Sequence, residues 1–297
     1  MKRLIIFICL IAVLPLCGCV GVKNNANLGL VIPGTEFMPD FDTGGGDDGE
    51  SEENDMGELP TVGEKGDGNG IEPPKKEENF GESNEKASTK SYAISTANGL
   101  RVRSSDSTNA SVLGSLDRGD AVVLLGESNG FIKTVYKERT AYVSAAYCTV
   151  LEVETSSLEV EKAIDEGCRL LGYPYVWGSQ RYHWGNGKLN ANFVAGEFDC
   201  SALVQYVYYK SNGVILDVTS RAQSNNGVPI ARENLSRGDL MFFTNASRKD
   251  KTGVERIGHV GIYFGNNYIL HTASDHAVIE PISSTRWGYY IDARRVV

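Results

Sequence analysis

The stretch FDCSALVQYVYYK, residues 198–210, sets a single cysteine, Cys200, between an acidic residue and an apolar run. The run continues into SNG, where Gly213 is a stop signal, and it reads as a helix whose first turn holds Cys200. A helix N-terminus carries partial positive charge and favours a thiolate. Four readings of Cys200 follow: a packed core thiol, half of a disulfide, a metal ligand or a nucleophile. Its neighbours along the chain discriminate among them.

Upstream, SSLEVEKAIDEGCRLLG (156–172) sets Leu158, Val160, Ile164, Cys168 and Leu171 near helical spacing, with a serine cap and Gly172 as a stop. Downstream come strand-like runs: DLMFFT (239–244), HVGIYFG (259–265), YILHTAS (268–274) and AVIEPI (277–282). Helices followed by an antiparallel sheet make an α+β domain.

A nucleophilic cysteine needs a base, and the base needs an orienting partner. The chain has four histidines: His183, His259, His271 and His276. His259 opens one strand and His271 lies on the next, across the turn signal GNN at 265–267. A three-residue loop there sets His271 opposite Gly261, on the face of His259. A two-residue turn at Asn266–Asn267 puts the two histidines on opposite faces. The pattern permits either. His183 and His276 read as surface or satisfied core residues.

The first residues form a targeting segment. Lys2 and Arg3 precede the apolar stretch LIIFICLIAVLPL (4–16), which has the length of a signal-peptide core and is too short to span a bilayer. The following LCGC (16–19) resembles the bacterial lipobox. That resemblance implies cleavage after Gly18 and a lipid on Cys19, so the protein is expected to be exported, anchored in the bacterial membrane and facing the cell wall. Three cysteines then remain, Cys148, Cys168 and Cys200, and an odd number leaves at least one thiol unpaired within the chain. Cys148 and Cys168 sit in apolar patterns and read as small packed hydrophobes rather than a disulfide. No close cysteine pair or Cys/His cluster has zinc-ligand spacing, so no metal or other cofactor is expected.

The formal charge of −9 is unevenly spread. Residues 36–86 hold 17 acidic residues against four lysines, whereas residues 87–297 hold 22 basic against 21 acidic. Residues 19–90 are rich in Gly, Asp, Glu and Asn, without sustained periodicity, and read as a solvated tether. No basic patch suited to nucleic acid is visible.

From 91 to about 152 short strands alternate with turns. GLRVRSS, SVLGSLDRGDAVVLLGES (with a turn at 117–120), GFIKTVY and TAYVSAAYCTV suggest a small all-β barrel. The whole run from Asn98 to Tyr147 resembles a bacterial SH3 (SH3b) domain, a cell-wall-associated module. The domain order and the short connection at 152–157 predict that the barrel abuts the catalytic cleft of the following domain and narrows its choice of substrate.

The blocks YPYVWGS (173–179), FDCSALVQYVY (198–208), SRGDLMFF (236–243), IGHVGIYFGNN (257–267) and ILHTAS (269–274) occur in the order found in NlpC/P60 cysteine peptidases. The resemblance covers about 158–297 and implies a papain-like catalytic domain at 156–297. It implies cleavage of peptidoglycan stem peptides, typically between γ-D-glutamate and the diamino acid. Matched position by position, Cys200 is the nucleophile, His259 its general base and acid, and His271 the orienting third member. Tyr175 matches the tyrosine associated with the oxyanion site. Asp199 and Ser201 match flanking positions that help recognise substrate.

The sequence departs from the family pattern in three places. Ser179 and Ala202 stand where glycine is common. The segment QRYHWGNGKLNANFVAGE (180–197) is longer than the usual connection; it is either a lid or cleft wall offering Tyr182, His183 and Trp184 to substrate, or a surface loop. Two other functions stay open at this point: a non-catalytic lipoprotein that binds wall peptides, and an amidase or acyltransferase on the same core.

Overall fold

The computed structural model describes residues 88–273 and 275–297. The expected signal segment 1–18, the lipidation candidate Cys19 and the tether up to residue 87 lie outside the described residues.

Eight strands run from 89 to 154: β1 (Thr89–Ser95), β2 (Leu100–Arg103), β3 (Val112–Leu116), β4 (Ala121–Val123), β5 (Gly126–Ser128), β6 (Phe131–Tyr136), β7 (Arg139–Ser144) and β8 (Cys148–Glu154). They form two antiparallel sheets, β4-β1-β8 and β3-β2-β7-β6-β5. Alternation does the sorting: in β6, Ile132, Thr134 and Tyr136 are buried while Lys133 faces water. Val102, Val122, Ile132, Ala141 and Val143 are among the residues that close the core.

The α+β part begins with α1 (Leu158–Arg169), which Ser157 caps by accepting the Val160 N–H at 3.3 Å. Its buried stripe is Val160, Ala163, Ile164, Gly167 and Cys168. Leu158, expected on that stripe, is 65% exposed, because the first residue of the helix starts outside the packed face. The second helix, α2 (Cys200–Asn212), is buried on every side from Cys200 to Tyr208 and ends on Gly213 in the left-handed conformation (φ 69°). After the short α3 (Ser220–Gln223) and β9 (Val228–Pro229) come β10 (Leu240–Phe243), β11 (His259–Gly265), β12 (Tyr268–Ala273), β13 (His276–Pro281), α4 (Ser284–Gly288) and β14 (Tyr290–Arg295). The sheet order is β13-β12-β11-β10-β14-β9, antiparallel throughout. The helices α1 and α2 pack on each other, and α2 lies on β11 and β12. Met241, Phe243, Ile269 and Ile282 form a second apolar cluster. The whole is α+β, a helix-and-sheet domain preceded by a small all-β barrel.

The barrel and the α+β domain share one continuous apolar core. The turn Lys137–Glu138 joins β6 to β7 with both residues left-handed, and it donates backbone N–H groups to the carbonyls of Leu171 (2.9 Å) and Arg169 (2.7 Å). A hairpin of the barrel thus satisfies carbonyls at the end of α1. Gly172 lies where Tyr136 of the barrel approaches so closely that any Cβ would enter its ring, and its φ of 84° also suits glycine. Cys148 and Cys168 are both free thiols.

Candidate active site

The chain presents Cys200 at the first position of α2, where the main chain has just turned out of the extended Asp199. Asp199 is the cap: its Oδ1 accepts the Ala202 N–H at 2.8 Å and the Ser201 hydroxyl at 3.0 Å. Its other oxygen receives Arg181 at 2.8 Å, and Arg181 also donates to Ser201 Oγ at 3.2 Å. Ser179, the departure from glycine, accepts the Asp199 N–H through its hydroxyl at 2.7 Å. Asp199 and Ser201 are both buried, and their polar groups are engaged within the protein.

The two histidines come together. His259 Nε2 and His271 Nδ1 are 2.8 Å apart, with ring planes inclined at 75°. The turn that achieves this was not one of the two simple alternatives. Asn266 and Asn267 are both left-handed (φ 49° and 64°), a two-residue turn of the primed type. Taken alone, that turn would separate the histidines. A bulge restores them: Tyr263 pairs with Ile269 but Gly265 pairs with Tyr268, so Phe264 is the extra residue. Beyond the bulge Ile262 faces Leu270, and the same register sets His271 opposite Gly261.

The relay continues past His271. Its Nε2 lies 3.0 Å from Glu280 Oε1, and Arg286 of α4 donates to that same oxygen at 2.8 Å. Glu280 is on β13, where Val278 pairs with His271, so Glu280 is a diagonal neighbour on the same face. Neither Glu280 nor Arg286 was singled out from sequence. The signal present was a lone carboxylate in the apolar strand AVIEPI.

Burial sets the resting charges. It pushes the Cys200 thiol up to about 12, aided by the Asp199 carboxylate and opposed by the Val260 N–H, Arg181 and the Ser201 N–H. The helix terminus therefore does not by itself produce the thiolate expected from sequence; desolvation of the buried sulfur outweighs it. Burial, His271 and Arg286 hold His259 well below the ordinary imidazole range. Each group alone is kept neutral. Tyr175 is half-buried, and its phenol is raised first by burial and then by its neighbours Cys200 and Asp199.

A sequence model of the NlpC/P60 family matches residues 172–296, and one of the bacterial SH3 domain matches residues 98–149. The murein DD-endopeptidase MepS/murein LD-carboxypeptidase of Escherichia coli (strain K12) is 32% identical over 156 residues, 48% of this chain and 74% of that protein. The chain belongs to the NlpC/P60 family. The gamma-DL-glutamyl hydrolase of Bacillus subtilis (strain 168) is 30% identical over 163 residues, 54% of this chain and 35% of that protein. The gamma-D-glutamyl-L-lysine dipeptidyl-peptidase of the same strain is 30% identical over 171 residues, 56% of this chain and 49% of that protein. Against these two relatives, the match takes in half of their length or less.

Within this NlpC/P60 domain the long segment 180–197 folds back on α2. Tyr182 packs edge-on against Tyr206, Tyr209 and Phe193, and His183 is fully buried beside Tyr209. Of the three residues considered for substrate contact, only Trp184 is exposed, at 55%. Arg181, not singled out from sequence, ties this segment to the Cys200 turn.

Proposed function

We propose that the protein is a cell-wall hydrolase, a cysteine endopeptidase that cleaves peptidoglycan stem peptides at the γ-D-glutamyl–diamino acid bond. The observation that carries this reading is the hydrogen-bonded pair His259–His271 on the sheet that supports the helix of Cys200. In this reading His259 takes the proton of Cys200, and the thiolate attacks the γ-glutamyl carbonyl. The tetrahedral oxyanion is met by the Cys200 backbone N–H, with Tyr175 beside it. Protonated His259 gives its proton to the departing amine as the C–N bond breaks and a thioester remains. His259 then deprotonates a water that hydrolyses the thioester and regenerates the thiol. Asp199 and Ser201 shape the substrate side of the thiol through their shared contacts with Arg181.

The protein acts outside the cytoplasm on the wall, tethered through a lipid on Cys19 and the acidic segment that precedes β1. The lipobox-like LCGC and the preceding apolar stretch support that placement. A Cys19→Ala variant is expected to move from the membrane fraction to the soluble exported fraction.

The test of activity is digestion of purified muropeptides by the full chain and by Cys200→Ala, with mass spectrometry of the products. Fragments cut after γ-D-glutamate by the wild type alone are expected. Equal release by both proteins overturns the hydrolase reading and favours a binding lipoprotein; a different broken bond assigns an amidase or acyltransferase.

A further inference from the structure

Three contacts run in series across the sheet to α4: His259 Nε2 to His271 Nδ1 (2.8 Å), His271 Nε2 to Glu280 Oε1 (3.0 Å), and Arg286 Nη2 to the same Oε1 (2.8 Å). Each histidine contact holds one proton, and the chain of contacts admits two arrangements. In one, both histidines carry hydrogen on Nε2. In the other, both carry it on Nδ1, and the hydrogen bonds run the opposite way. Only the first leaves a lone pair on His259 Nδ1. That nitrogen is the one ring nitrogen of His259 not engaged by His271, and so the one that can take a proton from Cys200.

An ionised carboxylate can accept but not donate. Facing His271 Nε2, Glu280 therefore requires hydrogen there, which leaves His271 Nδ1 bare and draws the His259 hydrogen to Nε2. Burial alone would raise the Glu280 carboxyl, but His271 and Arg286 outweigh it and hold it at about 2. Arg286 contributes twice: it keeps Glu280 ionised, and its charge disfavours a proton on either imidazole.

We propose that Glu280, held by Arg286, is a positioning residue that fixes the tautomer of both histidines and so makes His259 Nδ1 the base for Cys200. This rests on the Cys200–His259 reading but not on the identity of the substrate. Glu280 touches no reacting atom and acts through His271.

The test uses the full chain with 15N-labelled histidine, together with Glu280→Gln and Glu280→Ala. Long-range 1H–15N spectra distinguish protonated from bare ring nitrogens, and four histidines keep the spectrum assignable. In the wild type, His259 and His271 are both expected in the Nε2–H form. In Glu280→Ala, a mixture with the Nδ1–H form is expected. The rate of Cys200 alkylation by iodoacetamide, followed at its own peptide because Cys148 and Cys168 are also free, is expected to fall about 10- to 100-fold. A triad that loses its tautomer-setting carboxylate loses ~10⁴ in kcat, and a group one imidazole further out acts more weakly. Glu280→Gln keeps the shape and an acceptor oxygen without the charge, so an intermediate fall is expected while the fold, followed by circular dichroism, is retained. A wild-type His259 protonated on Nδ1 overturns the proposal, whatever the variants do. Unchanged tautomers and alkylation in a folded Glu280→Ala overturn it as well. Neither measurement uses a peptidoglycan substrate, so the stem-peptide assignment and the tautomer assignment stand or fall separately.

Discussion

Arg237 of the NlpC/P60 domain donates to the hydroxyl of Tyr92 in the barrel at 2.7 Å, and the same guanidinium holds Glu161 through two nitrogens at 2.7 and 3.2 Å. It is stacked on Phe264, whose ring meets Tyr92 edge-on at 4.7 Å. Burial would raise the Glu161 carboxyl, yet Arg237, the Ser156 N–H and Lys90 together lower it. Removing one partner of a buried pair leaves a charge uncompensated and costs about 3–5 kcal/mol. Arg237→Ala is expected to destabilise by that order, measured by urea denaturation. Because barrel and domain share this seam, tryptophan fluorescence and far-UV circular dichroism are expected to report one coincident transition. Two separated transitions would show that the barrel folds on its own.

The cap at Cys200 makes a prediction with two opposite signs. In Asp199→Asn the side chain still accepts the Ala202 N–H, since Asn caps helices as well as Asp. Arg181 loses its charged partner, and a hydrogen bond to a charged group contributes about 1.5–3 kcal/mol. Stability is therefore expected to fall by that order. The Asp199 carboxylate also raises the Cys200 thiol, so its removal is expected to make the thiol more acidic. The pH dependence of alkylation at the Cys200 peptide checks the second sign, and thermal unfolding checks the first. A thiol that titrates higher in the variant would contradict the assigned role of Asp199.

Acid sensitivity follows from His271. Burial and Arg286 lower it to about 4 against the pull of Glu280, whereas an unfolded histidine titrates near ~6.5. The folded state thus disfavours a proton that the unfolded chain binds. The resulting stability is present above ~6.5, declines as pH falls from there toward about 4, and is gone below that. His259 shifts in the same direction. Denaturation midpoints measured from pH 7.5 to 4 are expected to fall across this window. A His271→Gln variant should fall less steeply over the same range; an equal slope would remove His271 from the account.

Much of this organisation is legible in the residues, and the gaps have physical causes. Cys200 at a helix start and His259 at a strand start stand beside their own capping and turn signals. The helix α1 announces itself through spacing, but α2 is buried all round, so its apolar run lacks a polar face and is read from its stop at Gly213. Arg181, Glu280 and Arg286 were missed because what defines them is a partner that only the fold brings close: Arg181 meets Ser201, Glu280 meets His271 across the β12–β13 pairing, and Arg286 reaches Glu280 from α4. The seam is equally silent, since Tyr92 and Arg237 are 145 positions apart. The histidine pairing lay between these cases. Its two turn alternatives were readable, but the bulge at Phe264 was not.

That bulge gives the last prediction. The chain between His259 and His271 has a length that a regular hairpin with the Asn266–Asn267 turn would convert into histidines on opposite faces. The extra residue at Phe264, followed by Gly265 at φ 99°, corrects the register by one. Deleting Gly265 removes the extra residue, so Phe264 faces Tyr268 alone and His271 still opposes Gly261. The histidine pair should survive this deletion. Gly265→Val keeps the chain length but imposes a β-branched residue on left-handed backbone, at a cost of about 1–3 kcal/mol. The hairpin can relieve that strain by adopting the regular register, which turns His271 to the other face. Cys200 alkylation at neutral pH is therefore expected to be kept in the deletion and lost in the substitution. A shorter chain that works while a full-length one fails is the signature of register, because simple loss of packing would penalise the deletion at least as much.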